Sequence, residues 1–65
     1  MRIRLNGIER ETGAETIAKL LEELGLPRQT ALVECNGEAL PRGEWDEAAL
    51  KEGDVLEVLR VAAGG

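Results

Sequence analysis

Residues 2–11 read Arg2-Ile3-Arg4-Leu5-Asn6-Gly7-Ile8-Glu9-Arg10-Glu11, two short runs of alternating polar and apolar residues on either side of an Asn-Gly pair. That pair is the strongest short-range hairpin signal, because a two-residue type I′ turn needs positive φ at both central positions and Asn and Gly tolerate it best. The turn sets the register. Leu5 faces Ile8 and Ile3 faces Arg10 on one side, while Arg4 faces Glu9 and Arg2 faces Glu11 on the other. A slip of one residue would turn Ile3 and Leu5 to water and lose two opposite-charge pairs, each worth about 0.2–1 kcal/mol. The chain therefore begins with a hairpin that has one apolar side to cover.

The next segment supplies the cover. Ile17, Leu20, Leu21 and Leu24 recur at helical spacing, with Lys19, Glu22 and Glu23 opposite, which predicts one amphipathic helix of two to three turns. Its start has two candidates: Thr16 as N-cap, or Thr12 with Glu15 as a capping box. Its stop is sharper, since Gly25 can take the left-handed position, Leu26 can fold back on Leu21, and Pro27 blocks continuation. At 65 residues the chain needs this stripe for its own core rather than for a partner.

The hairpin signal recurs at Asn36-Gly37, between a strand over Thr30 to Cys35 and a short strand over Glu38 to Leu40. Cys35 then faces Glu38 and Val33 faces Leu40. Beyond Pro41, residues Asp46 to Leu50 predict a short helical turn before Gly53. Trp45 could anchor a partner or close one end of an aliphatic core, and the core reading is favoured. Gly53-Asp54 opens a last strand over Val55 to Val61, rich in β-branched residues. Leu56 and Val58 lie on one face of it; Val55, Glu57, Leu59 and Val61 lie on the other. One helix covers one face of a sheet, so Leu59 and Val61 are expected as an apolar patch of the kind that marks protein contacts; the alternative is a strand covered on both sides.

Composition narrows the function. Hydrophobic residues at 43% and charged residues at 32% belong to a folded domain, and the length allows one domain with no room for an enclosed catalytic cleft. A net charge of −5 repels phosphate backbones, so nucleic acid is excluded as a direct partner and a protein with a basic surface is favoured. No apolar run approaches the roughly 20 residues of a membrane span and no signal-peptide core follows Met1, so the expected location is cytoplasmic. One cysteine and no histidine exclude the usual metal sets and nucleophile–base pairs. Cys35 reads as a small, partly buried hydrophobe, with nothing basic beside it in sequence to activate a thiol. What remains is the end of the sequence, Ala62-Ala63-Gly64-Gly65. Two glycines without Cβ can thread a channel closed to side chains, although such ends are ordinarily just frayed.

The order hairpin, helix, hairpin, turn and strand, ending in Gly-Gly, resembles the ubiquitin-like β-grasp fold over the whole chain. The resemblance implies an α+β domain over residues 1–61: a mixed sheet of about five strands, the first and last parallel at its centre, one main helix across one face, and a flexible tail over 62–65. Within that fold Asn36-Gly37, Leu40-Pro41-Arg42, Trp45, Gly53-Asp54 and Gly64-Gly65 make the chain similar to the ThiS-type sulfur carriers of the MoaD/ThiS superfamily. Membership implies a non-enzymatic co-substrate of thiamine biosynthesis. An adenylating enzyme of the ThiF type would activate the carboxylate of Gly65 using ATP. Sulfur from a cysteine desulfurase would convert it to a thiocarboxylate, and a thiazole synthase of the ThiG type would accept it. Gly64 and Ala63 would thread the active sites, and Leu59, Arg60 and Val61 would help dock the partners, with no cofactor or metal bound by the carrier itself. The same tail would serve a carrier for tRNA thiolation or a protein modifier, and a β-grasp interaction module with an inert tail is the reading from a different class.

Overall fold

The computed structural model of the chain describes residues 1–61. Its elements are β1 (Arg2–Leu5), β2 (Ile8–Glu11), α1 (Ile17–Leu24), β3 (Ala31–Cys35), β4 (Glu38–Leu40) and β5 (Val55–Arg60), with 3-10 turns at Arg28–Thr30 and Arg42–Glu44. The sheet order is β2-β1-β5-β3-β4. β5 runs parallel to β1 and antiparallel to β3, so the last strand enters the middle of the sheet, between two hairpins.

Both hairpins take the expected register, Leu5 opposite Ile8 in one and Cys35 opposite Glu38 in the other. Their turns have φ of 50° at Asn6 and 82° at Gly7, and 53° at Asn36 and 86° at Gly37, the left-handed pair that a type I′ turn demands. Two details of the first hairpin differ from expectation. Arg4 lies opposite Glu9 but its guanidinium turns to the Gly7 carbonyl at 3.2 Å, and Arg2 takes both carboxylates, Glu11 at 3.1 Å and Glu9 at 3.9 Å. Ile8 is 71% exposed. α1 meets β2 through Arg10, which pairs with Glu23 at 3.2 Å, and its cover does not extend to Ile8 on this outer strand.

Thr16, not Thr12, caps the helix: its side chain accepts from the Lys19 N–H at 3.2 Å. Thr12 instead accepts from the Ala14 N–H and donates to Glu23. At the far end Gly25 sits at φ 71°, its N–H donates to the Glu22 carbonyl, and Leu26 N–H donates to the Leu21 carbonyl at 3.0 Å. These are the paired bonds of a Schellman stop.

The helical turn expected over Asp46 to Leu50 is absent, and a 3-10 turn forms earlier, at Arg42–Glu44. The reason is that residues 45–50 serve the start of α1. The Trp45 carbonyl accepts from Ala18 N–H and the Ala48 carbonyl from Ile17 N–H, which satisfies donors that a helix leaves open in its first turn. The third strand likewise starts one residue late, because Thr30 belongs to the turn over Arg28–Thr30.

The core lies between α1 and one face of the sheet, where Ile3, Val33, Leu56 and Val58 meet Ile17, Ala18, Leu20 and Leu21. Trp45, 1% exposed, closes one end, and its Nε1–H donates to the Leu40 carbonyl at 2.9 Å. The lone aromatic residue is a core residue, as its sequence context favours. This arrangement is the ubiquitin-like β-grasp, with the first and last strands parallel at the centre as the resemblance implies.

The open sheet face and the end of strand β5

β5 is gripped from both sides by the asparagines of the two turns. Asn6 reaches from the end of β1 to Val58, accepting its N–H at 2.8 Å and donating to its carbonyl at 3.1 Å. Asn36 reaches from the end of β3 to the start of β5: it accepts the Val55 N–H at 3.0 Å and donates to Asp54 at 3.1 Å. The second Asp54 oxygen accepts the Lys51 N–H at 2.9 Å, so this nearly buried carboxylate has partners on both oxygens. A side-chain amide at a left-handed turn position thus does two jobs, closing its own hairpin and holding the neighbouring strand.

Alternation on the gripped strand divides its side chains. Leu56 and Val58 are buried beneath α1, whereas Val55, Leu59 and Val61 are exposed. Leu59 is 66% exposed, and its cross-strand partner Leu32 on β3 is 52% exposed. Leu32 is a site residue that sequence reasoning passed over. Its signal was available, since Val33 inward places Leu32 outward on the same alternation that was read for β5.

Next along the same face, Glu34 stands directly opposite Glu57. Like charges in that position destabilise a sheet, and among the described residues neither carboxylate has a salt-bridge partner. Leu32, Leu59, Ala39, Pro41 and Arg42 line, together with the two glutamates, an open groove of about 720 Å³. Arg60 is also exposed, but by alternation it belongs to the helix side of the sheet, at its rim.

The chain leaves the sheet next to this groove. Ala31 pairs with Arg60, and Val61 N–H then donates to the Thr30 carbonyl at 2.6 Å, the last hydrogen bond along the β3 edge of β5 among the described residues. Ala63, Gly64 and Gly65, named from sequence as the threading and sulfur-carrying residues, lie outside the described residues.

Nothing else among the described residues offers chemistry. Cys35 is half-buried, and burial together with nearby Asp54 pushes its thiol up from the ordinary value, away from the thiolate that reacts. Two surface carboxylates are held below the usual range, Glu23 by hydrogen bonds from Thr12 and Arg10 and Asp46 by Arg28, which identifies them as structural partners. No group of three or more His, Cys, Asp or Glu among the described residues could hold a metal ion, and no helix is long and apolar enough to cross a membrane.

Known proteins share this design. The sequence profile of the ThiS family matches residues 3–65. The sulfur carrier protein ThiS of Thermus thermophilus is 36% identical over 61 residues, which take in 94% of this chain and 95% of that one. A thiazole synthase of Paramagnetospirillum magneticum contains a segment 36% identical to this chain, matching 100% of it while covering 20% of the synthase. The chain thus spans about a fifth of that relative. The crystal structure of the thiamine biosynthesis protein ThiS from Geobacter metallireducens superposes with a TM-score of 0.82 at 35% identity, covering 100% of both chains. A match over nearly the whole sequence, a fold shared end to end and a relative of almost equal length agree, and the chain belongs to the ThiS family.

Proposed function

We propose that the protein is a sulfur carrier of thiamine biosynthesis whose working group is the carboxylate of Gly65. The observation that carries the reading is the extent of the family match, which runs from Ile3 through Gly64 and Gly65. The carrier is a co-substrate rather than an enzyme.

A bare carboxylate resists substitution because its oxygens are poor leaving groups, so activation comes first. A carboxylate oxygen of Gly65 attacks the α-phosphorus of ATP in an adenylating enzyme of the ThiF type and pyrophosphate departs. The terminal sulfur of a persulfide, supplied through a cysteine desulfurase, then attacks the carbonyl carbon and AMP leaves. A thiol cleaves the resulting S–S bond, and the thiocarboxylate remains on the carrier. Transfer of that sulfur to a thiazole synthase completes the cycle, and the carrier-like segment within the Paramagnetospirillum magneticum thiazole synthase supports that recipient. The ATP belongs to the partner enzyme, and the setting is cytoplasmic.

The domain's part is recognition. Leu59 and Val61, with Arg60 at the rim, dock the partners, and the exposure of Leu59 and Val61 beside the Leu32 groove supports this. The unneutralised Glu34–Glu57 pair and the net charge of −5 add that the complementary surface carries arginine or lysine around an apolar centre. Gly64 and Ala63 are small enough to follow Gly65 into a narrow channel.

Incubation with ATP, a matched adenylating enzyme and a persulfide donor is expected to raise the intact mass by the difference between one sulfur and one oxygen. The change should map to the peptide that ends at Gly65. An unchanged mass would remove the carrier reading.

A further inference from the structure

Arg42 lines the groove on the open face, and its side chain also organises the point where the chain leaves the sheet. Its Nε–H donates to the Arg28 carbonyl at 2.6 Å, and its Nη2 donates to the carbonyls of Gln29 at 3.1 Å and Ala31 at 3.0 Å. Those three carbonyls bracket Thr30. The Thr30 carbonyl is the one that accepts the Val61 N–H. A 3-10 turn has poor internal hydrogen-bond geometry and little stability of its own, so an external donor that reaches two of its carbonyls and that of Ala31 just after it largely decides its shape. The guanidinium is held in turn by the Trp45 ring, 5.6 Å from its centroid, and Trp45 is locked into the core.

We infer that Arg42 is a positioning residue that fixes the backbone of Val61, where the chain leaves the sheet, acting through the Arg28–Thr30 turn and the Thr30–Val61 hydrogen bond. The inference builds on the carrier reading, in which the residues after Val61 must enter a partner's active site while the open face is docked. An exit point already fixed lowers the ordering cost of that entry. Arginine suits the task because its planar fork presents five donors in fixed geometry, whereas a lysine ammonium is a single point charge on a flexible stem.

Arg28 provides the comparison. It lies over the same ring, at 5.5 Å, and donates to Asp46 and to the Arg42 carbonyl, but to none of the carbonyls that bracket Thr30. Amide hydrogen exchange on the whole chain, followed by NMR, therefore separates the two residues. In Arg42→Lys the Val61 amide is expected to exchange about tenfold faster, the effect of losing roughly one hydrogen bond, while the amides of Ile3, Leu56 and Val58 keep their protection. In Arg28→Gln the Val61 amide should be unaffected. Loading by the adenylating enzyme, measured per folded molecule, should fall in kcat/KM for Arg42→Lys and not for Arg28→Gln. Arg42→Gln serves the same comparison if Arg42→Lys does not fold.

An unchanged Val61 amide in the Arg42 variants would overturn the inference, as would equal acceleration in Arg28→Gln, which would mean general loosening. Faster Val61 exchange with unchanged loading would overturn it too, leaving Arg42 a structural role alone. If the unaltered protein is not loaded at all, the carrier reading fails instead, and the exchange comparison still judges whether Arg42 governs the exit.

Discussion

Leu56 and Leu59 stand three residues apart on one strand and carry the same side chain, yet Leu56 is 0% exposed and Leu59 is 66% exposed. A strand presents alternate residues to opposite faces, and the single helix α1 covers only one of them. On the covered face the composition is explained by stability, because a chain this short must bury every aliphatic group that it can. The open face has no such explanation. Leu32 and Leu59 expose apolar surface, as Val55 and Val61 do, and Glu34 opposite Glu57 costs the sheet energy, so folding alone does not account for this face. The two faces of β5 therefore divide the molecule into a part that answers to folding and a part that answers to a partner.

The comparison breaks most directly at Leu56. Leu56→Ala removes a fully buried side chain between α1 and the sheet and should cost about 2–5 kcal/mol. A single core of this size ordinarily supplies no more than about 3–5 kcal/mol in total. Urea titration followed by circular dichroism should then find the cooperative transition nearly gone, and a midpoint close to that of the unaltered chain would mean that the covered face is not what holds the fold.

A smaller loss is expected from Asn6→Gly, which touches neither face. Glycine keeps the positive φ of the turn but removes both side-chain bonds to Val58, one of which satisfies the Val58 N–H. Leaving that buried donor without its partner costs about 1–3 kcal/mol. The same titration measures it. A cost of only a few tenths would show that Asn6 serves the turn alone and does not grip β5.

Much of this was legible before any coordinates. The two Asn-Gly turns fix their own registers by local chemistry, and Gly25 and Pro27 stop the helix by capping rules that act within one turn, while its start stayed open between Thr16 and Thr12. The inward and outward sets on β5 followed from alternation. The largest miss has a deciding partner far along the chain. Residues 45–50 fail to form a helical turn because their carbonyls are taken by Ile17 and Ala18, nearly thirty residues earlier. Ile8 is exposed on the outer strand β2, and the Arg4–Glu9 miss is local, since the Arg4 guanidinium turns to the Gly7 carbonyl. The candidate site was half legible. Leu59 and Val61 were read directly from alternation, which points to Leu32 as well, whereas the Glu34–Glu57 pair required knowing that β3 lies beside β5. The function came by a third route, a likeness carried by a handful of turn and terminal residues rather than by any chemistry in the core.

The smallest expected change in stability sharpens the comparison most. Leu59→Ser places a hydroxyl where the side chain already meets water, opposite the exposed Leu32, and the substitution should alter unfolding by no more than about 0.5 kcal/mol. Loading by the adenylating enzyme should nonetheless weaken, with a higher KM for the carrier, because an exposed apolar residue at the centre of a contact contributes binding energy that serine cannot replace. Paired with Leu56→Ala, this gives opposite signatures from one residue type on one strand: stability lost where the leucine is buried, recognition lost where it is exposed. If Leu59→Ser destabilises the domain as Leu56→Ala does, the open face is part of the fold after all, and if it changes neither property the docking surface lies elsewhere.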